Sequence, residues 1–357
     1  MSKTLSKSDF LILLVGDAVF YGRLASYKKA FEKLGHRVKV LDVRSFYRIG
    51  FLNKALNRFL PKSKPPIYFG TKRLNAEIVK ETEKINPDFI LFFKPIFIKP
   101  GTLYKIKSGG IKIFSWYPDD IFYLKNSSRD FYNTIPVYDC HFSTKSFNVA
   151  ELLRSGAQKA VFLPHAVDAS CHHPLKVSPE EKKKIGSDIV FVGTYADDKR
   201  VEYLEKLCND GYDIKIYGNG WDNIPRNFCL KRNNCVRFKA FFCSDLSRVF
   251  NASKIALAFL RKHNRDLQTS RTYEIPACGA FMLHERTDEA TNLFKEGKEA
   301  DFFGTYEEMK NKIDFYLSHS EERNNIARAG YERAVLYDYS YQNRAQNILD
   351  IYFKLRQ

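Results

Sequence analysis

The chain alternates short apolar runs with amphipathic stretches, and it does so twice. Phe10 to Val15, Val38 to Val43, Phe89 to Phe93, Ile111 to Trp116, Cys140 to Ser143 and Ala160 to Leu163 read as strands, with a helix from Tyr21 to Leu34 that stops at Gly35. Strand, helix, strand in repetition predicts a parallel sheet covered on both faces. A polar, charged stretch from about Pro174 to Ser187 interrupts the pattern, which then restarts. Ile189 to Val192, Ile214 to Tyr217, Val236 to Ala240, Ile255 to Leu260, Ala280 to Leu283 and Asp301 to Phe303 read as strands, and Lys199 to Leu207 as a helix. The remainder is helical: Tyr306 to Leu317, Glu321 to Val335 and Tyr341 to Leu355. At 357 residues the chain exceeds one ordinary core, so two α/β domains are expected. Two doubly wound sheets facing across a cleft would bind ligands beyond the carboxyl ends of their strands, near helix N-termini.

Composition narrows the setting. No apolar run reaches the roughly 18–20 residues of a membrane-spanning helix. The opening MSKTLSKSDFLILLVGD has an acidic turn after its apolar stretch and no small-residue cleavage site, so it reads as a first strand. Seven scattered cysteines predict reduced, mostly buried thiols in a cytoplasmic protein. Cys171, His172 and His173 are adjacent, their side chains diverge, and no metal site is expected there. The net charge of +17 favours anionic partners: phosphorylated small molecules, an acidic membrane surface, or nucleic acid. A merely soluble basic surface fits equally.

Several strand ends hold residues that suit ligand chemistry. After Val192, Gly193 and Thr194 would let the backbone approach a ligand, with Lys199 and Arg200 at the next helix start. Cations there oppose the helix dipole, which a bound anion would relieve; a tight turn with solvated charges is the alternative. Tyr217-Gly218-Asn219-Gly220-Trp221 is an open loop whose Trp221 either walls a base pocket or packs. In QTSRTYEIPACGAFMLHE, Thr269 and Ser270 are good N-caps, and Arg271 and Glu274 share a face. The helix amides and Arg271 suit a diphosphate, and Glu274 suits a ribose diol; a surface ion pair is the alternative. Pro276 makes that helix short or kinked, and Gly279 ends it.

The first half carries Trp116-Tyr117-Pro118-Asp119-Asp120, where a carboxylate would take a hydroxyl proton or cap a turn. Gly16, Asp17 and His165 lie at the same expected edge. From Phe51 to Leu60 the apolar residues share one helical face, with Arg48, Lys54, Arg58, Lys62 and Lys64 around it. That suits an anionic membrane surface, or a core-packed helix with solvated lysines.

The series DIVFVGTYADDKRVEYLEKL, IKIYGNGW, SKIALAFL, TSRTYEIPACGAFMLHE and YEEMKNKIDFYLSHSEERNNIARAGYERA resembles the CgeB-like glycosyltransferases, a branch of the GT-B group, over about 188–349. FSWYPDD and FLPHAVD match more loosely. The resemblance implies two Rossmann-like domains: an acceptor domain over 1–174, a nucleotide-sugar donor domain over 175–338, and a helix over 339–357 returning to the first. It implies that Gly193 and Arg200 face the diphosphate, that Gly218 to Trp221 border the base, that Arg271 and Thr272 bind phosphate, and that Glu274 binds ribose. Related retaining families place two glutamates around seven residues; here the first is Asp266, one methylene shorter.

The function so implied is metal-independent transfer of a sugar from a nucleotide-diphosphate donor to a hydroxyl of a glycan, lipid-linked or protein acceptor. Asp119 is the candidate base, and no cofactor is needed beyond the donor substrate. The expected location is cytoplasmic, peripheral to the inner membrane face where the basic surface docks. A nucleotide-sugar epimerase of similar fold is one alternative. A basic nucleic-acid-binding protein is the other, though no nucleic-acid motif is present.

Overall fold

The computed structural model describes residues 9–18, 22–46, 51–61, 63–237 and 243–357. The expected helix start at Tyr21, the charges at Arg48 and Lys62, the Lys54 side chain and the strand residues 238–240 lie outside what is described. The chain divides into two compact units. One runs to Pro164 and takes in Tyr341–Gln357; the other is His165–Ser340. The division falls ten residues before the polar stretch that suggested it.

The first unit contains β1 (Leu11–Gly16), α1 (Arg23–Lys33), β2 (Arg37–Asp42), α2 (Phe51–Phe59), α3 (Lys72–Ile85) and β3 (Phe89–Phe93). It continues with α4 (Pro100–Ser108), β4 (Lys112–Tyr117), α5 (Arg129–Thr134), β5 (Cys140–Ser143), α6 (Ser146–Arg154) and β6 (Ala160–Phe162). The second holds α7 (Pro179–Ile185), β7 (Ile189–Val192), α8 (Lys199–Asn209), β8 (Ile214–Tyr217), α9 (Cys229–Arg232), β9 (Val236–Arg237) and α10 (Ser244–Ala252). It closes with β10 (Ile255–Ala258), α11 (Ser270–Ala277), β11 (Met282–Glu285), α12 (Asp288–Leu293), β12 (Asp301–Phe303), α13 (Tyr306–Ser318) and α14 (Ser320–Leu336). Finally α15 (Tyr341–Lys354) returns to the first unit.

Each unit is built on a six-stranded sheet, ordered β2-β1-β3-β4-β5-β6 in the first and β12-β11-β10-β7-β8-β9 in the second. All the pairings are parallel. Strand order reverses between β1 and β3 in one and between β7 and β10 in the other, and such reversals open the crevice where ligands bind. The strands are buried on both faces, which is why they read as near-continuous apolar runs.

One face of the first sheet is sealed by α15. Its Ala345, Ile348, Leu349 and Tyr352 join Phe10, Tyr27, Phe89 and Phe114 in one buried cluster. The Tyr352 ring lies 4.9 Å from Phe89 and 5.5 Å from Phe10, centroid to centroid.

Two sequence expectations are corrected. The cysteines are not all reduced: Cys171 and Cys243 form a disulfide, while Cys140, Cys208, Cys229, Cys235 and Cys278 are free and buried. The loop after β6 brings Cys171 to the start of α10, a pairing across 72 residues that spacing does not announce. And α2 is not core-packed through its apolar face, because Leu52, Leu56 and Phe59 are exposed.

Candidate functional site

Beside the second unit's strand-order reversal, two loops are pressed together. The loop after β7 bonds to the loop after β8 through Gly193 N to Tyr217 O and Tyr195 N to Asn219 O, both 2.9 Å. Gly218 sits at φ 150°, and a Cβ there would collide with the Gly193 carbonyl. The approach therefore requires glycine. Thr194 and Asn219 are exposed at the rim.

Against this edge stands the head of α11. Thr269, extended at φ −134°, is its N-cap, and the helix ends at Cys278 with Gly279 at φ 69° behind it. Pro276 lies in the last turn, so the helix is short, as expected. Arg271 Nε donates to the Val192 carbonyl at 3.0 Å, and its Nη1 pairs with Glu274 Oε2. The ion pair is thus real but not a surface one: Glu274 is buried, and Arg271 is fastened to the end of β7. The Thr272 amide bonds back to Thr269 in a capping box and through its carbonyl at 3.2 Å, which leaves the Ser270 and Arg271 amides at the head of α11 with no carbonyl within the helix to bond. A guanidinium and free amides at one helix head favour an anion.

His172 completes this cluster, and sequence reasoning missed it. Its Nδ1 accepts from the Asp168 amide at 3.3 Å, so in the neutral ring Nε2 carries the proton. Nε2 lies 3.9 Å from Glu274 Oε1. Burial pushes the His172 pKa below its usual value, against the pull of Glu274. No local pattern links residue 172 to 274.

Other expected residues lie differently. Trp221 is buried among Phe191 and Tyr195 and donates from Nε1 to the Gly193 carbonyl at 2.8 Å. It stiffens the loop and offers no open ring face for a base. The Thr272 hydroxyl is also enclosed, accepting from the Thr269 amide at 3.0 Å and meeting His284 Nε2 at 2.8 Å. His284 Nδ1 faces the Glu285 carbonyl, which only accepts, so Nδ1 carries the proton and Thr272 donates to Nε2. Burial lowers the His284 pKa to about 4.

Arg200 is buried and pairs through Nε with Asp198 Oδ1 at 2.7 Å, while Lys199 pairs with Glu285 at 2.6 Å. Asp198 also caps α8 by accepting from the Arg200 amide. Cations at this helix start are therefore answered by protein carboxylates. One Arg200 Nη is buried without a partner. Asp266 accepts from Arg261 N and from Asn264 Nδ2, at 3.2 and 2.6 Å, so its carboxylate closes the loop after β10. That loop sets Arg261, Lys262 and Arg265 at the same sheet edge, a basic run the sequence reading passed over.

The first unit's reversal holds a cavity of about 740 Å3, lined among others by Asp17, Arg23, Asp42, Arg44, Lys94 and Trp116. Lys94, just beyond β3, adopts φ 45° and donates to Asp119 Oδ2 at 2.6 Å. Arg44 Nε pairs with Asp17 at 2.9 Å. A Cβ on Gly16 would come within 2.7 Å of the Phe93 Cβ, so that position is packing-limited. Asp120 is structural: Oδ1 accepts from Phe122 N and Asn148 Nδ2, both at 3.0 Å. The structure thus separates the two aspartates, Asp119 beside a lysine and Asp120 in a turn. His165 is buried in the second unit.

With this geometry in place, known proteins are informative. Residues 199–350 match the family described as glycosyl transferase-like. The spore protein CgeB of Bacillus subtilis (strain 168) is 22% identical over 280 residues, covering 75% of this chain and 84% of that protein. A glycosyltransferase from Rickettsia africae ESF-5 superposes with a TM-score of 0.67 at 16% identity, covering 98% of this chain and 99% of that one. Anabaena Alr3699/HepE in complex with UDP and glucose superposes with a TM-score of 0.65 at 12% identity, covering 96% and 98%. The resemblance to CgeB-like glycosyltransferases holds, and the fold is GT-B.

Proposed function

We propose that this relative of the CgeB-like glycosyltransferases transfers a sugar from a nucleoside-diphosphate donor to a hydroxyl acceptor. The observation that carries the proposal is the Arg271–Glu274 pair at the head of α11, fastened to the Val192 carbonyl where strand order reverses. Arg271 and the first-turn amides meet the diphosphate. Glu274 takes the ribose hydroxyls, with His172 Nε2 beside its second oxygen. Gly193, Gly218 and Gly220 keep the backbone low enough for the donor to approach, and Thr194 and Asn219 border it. Trp221 and Thr272 act through the loops they hold, and Arg200 through Asp198.

The departing nucleoside diphosphate is stabilised by these cations and amides rather than by a metal. Turnover is therefore expected to survive chelation by EDTA. In the first unit Asp119, beside Lys94, receives the acceptor proton when the reaction inverts configuration. The bound UDP of Anabaena HepE supports a nucleotide donor here as well.

A thermal-shift screen with UDP-, GDP-, ADP-, TDP- and CMP-sugars tests the reading. One of them should raise the melting temperature of the wild type but not of Glu274→Ala. If none does, the donor site is wrong. Incubation with that donor alone should leave the sugar unisomerised; an isomerised sugar would make the protein an epimerase instead.

A further inference from the structure

The helix α2 is turned inside out. Asn53 and Asn57, one turn apart, face the protein. Asn53 donates to the Phe69 carbonyl at 3.1 Å and accepts from the Phe69 amide at 2.9 Å. Asn57 does the same with Ile67, both bonds at 2.8 Å. The two side-chain amides thus stand in for a neighbouring strand and satisfy the backbone of residues 67 and 69. With the polar side inward, the apolar stripe points to solvent: Leu52 is 74% exposed, Leu56 51% and Phe59 84%. Phe69, on the segment the asparagines hold, adds a fourth side chain at 56%.

Along the chain the charge flanking this stripe has one sign, although Arg44 is paired with Asp17 and Asp42. From Val43 to Ala76 the sequence carries eight lysines and arginines and no aspartate or glutamate. Arg58, Lys64, Lys72 and Arg73 are exposed. Phe69 and Lys72 also line a shallow depression of about 510 Å3 together with Lys99.

We propose that α2 and the segment around Phe69 dock the first unit on an anionic lipid surface, with Leu52, Leu56, Phe59 and Phe69 entering the headgroup–acyl boundary. An amphipathic helix lying in that boundary needs an apolar stripe and flanking cations, and both are here. A second copy of this chain fits poorly, since a symmetric contact would set one basic patch against another. Nucleic acid would meet the cations but give the leucines and phenylalanines no apolar phase.

Vesicle flotation tests this with the full chain. The wild type should float with phosphatidylglycerol-containing vesicles and not with pure phosphatidylcholine, and added salt should weaken the binding. Phe59→Ser should weaken partitioning by roughly tenfold or more. Arg58→Gln and Lys64→Gln should each weaken it about fivefold. Every one of these positions is exposed, so nucleotide-sugar binding and melting temperature should stay at wild-type values. Absence of wild-type flotation, or equal flotation on both vesicle types, overturns the proposal. So does a Phe59→Ser variant that converts a dimer to a monomer without changing flotation, which would make the patch a self-interface.

Discussion

On β5 of the first unit the buried His141, and on β11 of the second the buried His284, are each held by one carbonyl and one hydroxyl, although the two strands stand at different places in their sheets. His141 Nε2 faces the Ile135 carbonyl at 2.8 Å and Nδ1 meets the Ser115 hydroxyl at 2.6 Å. His284 bridges the Glu285 carbonyl and the Thr272 hydroxyl in the same manner. Both rings are neutral, each lowered by burial to about 4. Beneath this shared construction the sheet edges differ. The first unit frames a cavity with opposed charges, Lys94 on Asp119 and Arg44 on Asp17. The second brings backbone to backbone at Gly193 and Gly218 and sets a guanidinium and free amides beside them. A cavity of paired charges suits a neutral, hydroxyl-rich molecule; a bare backbone edge with a cation suits phosphate. The fold is repeated, and the chemistry lives in the loops.

The sharpest way to break the comparison is to disable one edge and watch the other. Asp119→Asn should lower turnover by roughly a hundredfold or more if Asp119 is the acceptor base. Nucleotide affinity, measured by calorimetry, should not change. A parallel loss of affinity would mean that the division of labour is wrong.

Acid should weaken both units alike. A histidine that stays neutral when folded gives the unfolded chain the greater proton uptake. Stability is then full above the unfolded pKa near 6.5 and declines as pH falls towards 4. Each ring contributes up to about 3 kcal/mol of this loss. The chain has two tryptophans, Trp116 in the first unit and Trp221 in the second. Single-tryptophan variants therefore report each unit's urea midpoint separately. A midpoint that is flat between pH 7 and 4.5 in either unit would refute the neutral-histidine assignment there.

Gly218→Ala should damage only the second unit. Its Cβ meets the Gly193 carbonyl at a φ other residues rarely adopt, costing about 1–3 kcal/mol. The Trp221 transition should drop, and the Trp116 transition should hold. Smallest of these effects, Arg271→Ala should weaken nucleotide binding by about tenfold, the loss of one charge-assisted contact. If Arg271→Ala leaves affinity intact, the anion lies elsewhere on this edge, with the Arg261–Arg265 loop the next place to look.

How far the sequence carries depends on the distance over which a signal acts. Strands such as Phe89–Phe93 and Ile189–Val192 are legible because burial on both faces leaves little but apolar residues. Arg271 and Glu274 are legible because three residues of helix put them together. Lys94 as the partner of Asp119, His172 beside Glu274 and the Cys171–Cys243 bond are contacts made by the fold, and no local pattern encodes them. Trp221 in the loop after β8 and Thr272 in the first turn of α11 stand where expected, but their side chains turn inward to a carbonyl and an imidazole. The α2 stripe marks a third limit. Periodicity shows which residues share a face, and the inward pull of Asn53 and Asn57 decides which way it points.

The return of α15 has a consequence for how the protein is made. Ala345, Ile348, Leu349 and Tyr352, which close over Phe10, Phe89 and Phe114, follow the whole second unit in chain order. During synthesis the first sheet leaves the ribosome with that aromatic face uncovered, and it stays so until the second unit has emerged. Domains usually mature in the order in which they are translated. Here the later-made unit can finish first, because the helix that closes the earlier one follows it in the chain. A nascent chain stalled before Tyr341 should be protease-resistant in the second unit and still open to cleavage in the first.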